Sequence, residues 1–151
     1  MRIMIACGAF AALATAAPAA AVDVSLTGLV INTCVLTVPT PGLMALSSDG
    51  TRLGSEEGLG GAPATLAVVA AGAAPTLSFA VPRLTGPSGS DGAVTEIAYS
   101  SLSGENQPYT ASASSADAAR IDTFTIDGRV SREEGFTSGN YTVTVTVTCQ
   151  Q

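Results

Sequence analysis

The chain contains no histidine, no lysine and no tryptophan, and only 12% of its residues are charged. Without histidine or lysine, the usual bases that activate a serine or cysteine nucleophile are missing. A carboxylate enzyme would need two acids facing each other across a substrate. The only adjacent acid pairs, Glu56-Glu57 and Glu133-Glu134, stand in Gly- and Ser-rich segments that read as solvated turns. Zinc has no histidine and too few thiols to bind it, and Asp117, Asp122 and Asp127 do not follow calcium-loop spacing. No catalytic, cofactor-binding or metal residue is therefore expected, and the chain does not read as an enzyme.

What is present begins with a leader. Met1-Arg2 is followed by an apolar run from Ile3 to Ala16 and by small residues up to Ala21. This reads as a signal peptide over residues 1–21, with the mature protein starting near Val22 and exported through the inner membrane. Cys7 has too few residues before it for a lipoprotein leader, and it leaves with the signal peptide. The mature part carries five arginines against twelve acids, a net charge of −7, so nucleic acid and anionic membrane surfaces are poor partners. Low charge with abundant Thr, Ser, Ala and Val also argues against disorder.

Only Cys34 and Cys149 remain after cleavage, 115 positions apart. Two cysteines in an exported chain imply one disulfide, which here would close nearly the whole domain into a ring.

The hydrophobic pattern has a period of two. Tyr141, Val143, Val145, Val147 and Cys149 alternate with Thr142, Thr144, Thr146 and Thr148, which predicts a strand with one apolar face. Val22, Val24, Leu26 and Val30 share a face in the same way, with Gly28 as a gap. Leu29 and Ile31 break that pattern, as at a bulge or where a strand becomes buried on both sides. Residues 39–63 are turn-rich, with at most one short strand around Leu43 to Leu46. Further strands are predicted at Ala64 to Ala71, Pro75 to Leu84, Val94 to Leu102, Pro108 to Ala113 and Arg120 to Val130. In the Pro75 segment Leu77, Phe79 and Val81 share a face, and in the last segment Asp127-Gly128 is either a hairpin turn or a bulge within one continuous strand. About seven short strands and no convincing helix predict an all-β sandwich of immunoglobulin-like architecture over residues 34–151, preceded by an extension or first strand at 22–33.

The two ends of the mature chain resemble a known family. Ala21-Val-Asp-Val-Ser-Leu-Thr, running to Asn32-Thr-Cys34-Val-Leu-Thr37, resembles the opening of archaic chaperone-usher pilins and spore coat protein U-like domains. Phe124-Thr-Ile-Asp-Gly-Arg-Val130 and Ser138-Gly-Asn-Tyr-Thr-Val-Thr-Val-Thr-Val-Thr148 resemble the same family's final strands. About 45 residues carry the likeness, and the middle matches in style only. The family's early cysteine usually pairs with one on a nearby internal strand, whereas here its only partner is Cys149.

The resemblance implies an incomplete sandwich that lacks its last strand. A periplasmic chaperone completes it first, and then the N-terminal extension of the next subunit does so, with an outer-membrane usher as the other assembly partner. The implied role is a structural subunit of a surface fimbrium, in a homopolymer of neighbouring pilin subunits. In this chain Val22, Val24, Leu26, Gly28 and Val30 are the candidate donor strand. Tyr141, Val143, Val145 and Val147 are the candidate groove edge. The alternative is a secreted, self-contained sandwich in which residues 22–31 form the first strand and the 39–63 loop binds a target, as in an adhesin or an envelope-associated module.

Overall fold

The computed structural model describes residues 25–58, 60–87 and 92–151. The expected leader, the cleavage site, Val22 and Val24 lie outside the described residues. The described chain is all-β: it contains twelve strands, no helix, and only antiparallel pairings.

The larger sheet is built around β4 (Ala64–Ala71) and β10 (Ile121–Ser131). β4 pairs with β1 (Thr33–Thr40) on one edge and with the first half of β10 on the other. The second half of β10 pairs with β3 (Arg52–Gly54), which pairs in turn with β2 (Ala45–Leu46). Along its other edge β10 pairs with β7 (Val94–Ser101), and β7 with β8 (Asn106–Thr110).

A second, smaller layer has β5 (Thr76–Phe79) between β9 (Ser114–Asp117) and β12 (Val147–Gln150), while β6 (Arg83–Thr85) pairs with β11 (Thr142–Thr144). The Ala80 N–H donates to the Thr146 carbonyl at 2.9 Å, so residues 142–150 run beside residues 76–85 with one brief interruption.

The two layers meet through side chains of alternating parity. Leu66 and Val68 of β4, Ile97 and Tyr99 of β7 and Phe124 of β10 face Leu77 and Phe79 of β5 and Ala116 of β9 in one buried cluster. The Phe79 and Tyr99 rings stack with centroids 4.2 Å apart, and Phe124 meets both at about 6 Å. Tyr99 enters this core because its hydroxyl has a partner there, donating to the Ser115 carbonyl at 3.2 Å. Each such side chain contributes on the order of 1.5–3 kcal/mol through the apolar surface it withdraws from water.

Several expectations change. The strand expected from Pro75 to Leu84 is two strands, because the chain leaves the ladder at Ala80–Pro82, and Val81 in that gap is exposed while Leu77 and Phe79 are buried. Asp127-Gly128 makes neither a hairpin nor a bulge: the two residues pair in unbroken register with Ala98 and Ile97 inside a continuous β10. β3 lies within the turn-rich stretch, and β9 within Ser-Ser-Ala-Asp, a segment with no apolar alternation.

The N-terminal strand is the largest correction. It begins only at Thr33, and residues 25–32 lie in no ladder, so Leu29 and Ile31 mark neither a bulge nor a doubly buried strand. Gly72 marks the place where these residues depart: its φ of +95° is left-handed, and a Cβ there would collide with the Asn32 side chain.

Candidate functional site

β1 and the last strand, β11 and β12 together, are both edge strands. Among the described residues β1 pairs only with β4, β11 only with β6, and β12 only with β5. The Cys34–Cys149 disulfide joins β1 to β12 with Cα atoms 6.3 Å apart. Parity puts both sulfurs toward the interior, since Cys34 follows Leu36 and Cys149 follows the valines. At the same end the Gln151 side-chain amide donates to the Ala71 and Ala73 carbonyls at 3.1 and 2.7 Å.

Beyond this staple the two strands flank an open groove of about 570 Å³. One side is lined by Val38, Leu43 and Met44, and the other by Tyr141, Val143, Val145 and Val147. The lining also includes Leu66, Ile97, Ile126 and Gly128, and it holds no charged residue. At Gly128 the missing side chain leaves open space: a Cβ built there meets nothing within 4 Å. Tyr141 is fixed by the edge of the Phe136 ring, at 5.2 Å, and by donating from its hydroxyl to the Thr137 carbonyl at 3.0 Å.

The alternation expected for the last strand is present. Tyr141, Val143, Val145 and Val147 point to the groove and Thr142, Thr144, Thr146 and Thr148 are exposed, yet the apolar set is only half-buried. Leu77 and Phe79, on the neighbouring β5, are fully buried. The difference is that β5 lies under the opposite sheet, whereas the last strand's apolar face looks into the groove.

Leu26, Gly28 and Val30 of the candidate donor segment are nowhere near burial; Leu26 is 94% and Val30 80% exposed. They do not fill the groove of their own chain. The sequence names none of the lining residues Val38, Met44, Ile97, Ile126 and Gly128 as site residues, and it marks Gly128 only as a turn or bulge position. Ile126 and Gly128 share the parity of Phe124 and Val130, which is the signal that marks them as inward.

Each adjacent acid pair gives one carboxylate to an ion pair. Glu57 pairs with Arg52 and Glu134 with Arg132. Glu56 accepts a hydrogen bond from the Tyr109 hydroxyl at 3.0 Å. The Arg129 guanidinium lies 4.0 Å over the Tyr109 ring and bonds Glu96 at 2.8 Å. Partial burial, followed by the bond to Glu56, pushes the Tyr109 phenol up to about 12, so it stays protonated and serves as a fixed donor. Among the described residues no group of three or more acids or cysteines could hold a metal ion.

What the groove can do is accept an extended segment whose inward-facing side chains are apolar. It offers apolar side-chain sites at alternate positions and an edge strand on either side. No family model, curated protein or solved structure matches this chain.

Proposed function

We propose that the protein is a structural subunit of a surface fibre, assembled by inserting the N-terminal segment of one copy into the groove of the next. The observation that carries this reading is one mismatch within a single chain. An uncharged apolar groove stands open between two edge strands, while Leu26, Leu29, Val30 and Ile31 of the chain's own segment before β1 are exposed to water. Each half supplies what the other lacks. The ten residues Val22 to Ile31 extend to roughly 33 Å at about 3.3 Å per residue, which matches the nine-residue wall from Tyr141 to Cys149.

In this mechanism the inserted strand pairs with the free edges of the groove, and that pairing gives most of the affinity. Leu26 and Val30 occupy alternate sites and set the register. The two-layer architecture thereby becomes an immunoglobulin-like sandwich completed in trans. An edge strand without charge or proline, such as Tyr141 to Cys149, would pair indiscriminately if left open, so a periplasmic chaperone shields the groove before an outer-membrane usher passes the subunit to the cell surface. The resemblance of the chain's two ends to archaic chaperone-usher pilins agrees with this role.

The test uses a variant lacking residues 22–28 and a synthetic peptide of Val22 to Ile31. The variant is expected to stay folded and monomeric, and the peptide to bind it and raise its Tm. The same peptide carrying Leu26→Asp is expected to lose that effect, because an unpaired carboxylate would be buried. If instead the intact protein is a stable monomer and the truncation unfolds it, the segment serves its own domain. The self-contained binding module is then correct.

A further inference from the structure

On the outer face of the larger sheet, Val35 of β1 stands opposite Val69 of β4, and Val69 opposite Ile121 of β10. Directly opposed residues share a face, so these three form one row across three strands. Leu102 joins it from the side, its N–H donating at 3.1 Å to the carbonyl of Thr123, the next residue of Ile121's parity. These side chains are 56%, 54%, 80% and 84% exposed for Val35, Val69, Ile121 and Leu102. The neighbouring rows hold Thr37, Ala67 and Thr123, then Thr65, Thr125 and Ser100, again without a charge. Among the described residues, charge returns to this face toward the far end of β10, with Asp127, Arg129 and Glu96 and with Arg52 of β3 opposite Ser131. The groove shares only Thr65 with this face and otherwise uses the opposite parity of the same strands.

We infer that this outer face is a contact between copies of this chain, joining fibres side by side. The inference rests on the fibre reading above. Two observations select a second copy as the occupant. The chain is strongly acidic, so two copies repel over most of their surface, and a charge-free face is where they can approach. The apolar area is a few hundred Å², near the upper range for the largest patch on an ordinary monomer, and well below the roughly 800 Å² per partner of a stable complex. A contact of that size does not hold two free subunits together. It becomes effective when a fibre repeats it many times.

The mature protein would be concentrated until it polymerises and then followed by electron microscopy and light scattering. Wild-type fibres are expected to bundle, and isolated subunits with the groove filled by the Val22 to Ile31 peptide to stay monomeric. Leu102→Glu/Ile121→Glu, at two positions more than three-quarters exposed, is expected to give single fibres with unchanged peptide affinity. Leu102→Lys/Ile121→Lys is expected to give single fibres alone and to bundle again when mixed with the Glu variant. Bundling of the Glu variant like wild type, or equal bundling of the Lys variant with wild type and with the Glu variant, overturns the inference and leaves the fibre reading intact. Failure of the wild-type protein both to polymerise and to bind the peptide removes the fibre reading, and this inference with it.

Discussion

Asp122 is a buried carboxylate at the start of β10. Burial works to raise its pKa, but the Ser103 hydroxyl and the N–H groups of Thr123 and Ala119 donate to it and hold it below the usual carboxylate range. Its folded pKa is thus depressed from an unfolded value of about 3.9. The stability it contributes is present above that value and is lost as pH falls through the folded pKa. Asp122→Asn puts an amide where three donors converge and is expected to cost about 1–3 kcal/mol at pH 7. In urea titrations the gap from wild type should narrow below about pH 4; a gap independent of pH would show that the charge does not matter.

Gly128 supports a second expectation at the same scale. Because a side chain there meets nothing, Gly128→Leu should leave monomer stability near wild type while filling part of the groove. Calorimetry should find binding of the Val22 to Ile31 peptide weakened at least tenfold, and undiminished binding would place the inserted strand elsewhere.

The last strand shows which elements a sequence can reveal. Strict alternation from Tyr141 to Cys149 exposes its parity, and β4, β7 and β10 announce themselves with runs of Val, Ile and Phe. β9 does not, because Ser-Ser-Ala-Asp forms a strand only through its ladder with β5 and the Tyr99 hydroxyl on Ser115. β3 is invisible for a similar reason: β10 recruits Arg52–Gly54 from a Gly-rich stretch through non-local pairing. The alternation before Cys34 is real in the sequence, but a period of two records a side-chain pattern and cannot name the partner chain. For the same reason the groove's two walls were half legible. Tyr141 to Val147 follow from parity, whereas Val38, Leu43 and Met44 depend on where β1 leads. At this scale Val145→Ala should cost roughly 1–2 kcal/mol in the free subunit, the lower part of the range for a core valine because Val145 is half-buried. Thr146→Ser should cost little. Equal tolerance at both positions in denaturant titrations would contradict the assigned register.

At the scale of the molecule, no ladder among the described residues connects the sheet containing β1 to the one containing β12. They are held by the shared core, by the Gln151 amide and by the Cys34–Cys149 bond. That bond closes a loop of 115 residues, so in the chain-entropy description it removes conformations from almost the entire unfolded chain, worth up to about 4–5 kcal/mol. It also spans the two strands that flank the groove, so its loss acts on the site as well as on the fold. Cys34→Ser/Cys149→Ser is expected to lower Tm by on the order of 10–20 °C, from that energy and the unfolding entropy of a chain of this size. Without the staple the two walls can separate at that end, and the Val22 to Ile31 peptide should bind more weakly at a temperature where the variant is still folded. Intact mass with and without reductant gives the prior check, since two freely alkylated thiols in the purified protein would mean the bond does not form. A double serine variant with wild-type Tm would mean that the core alone fixes the two layers.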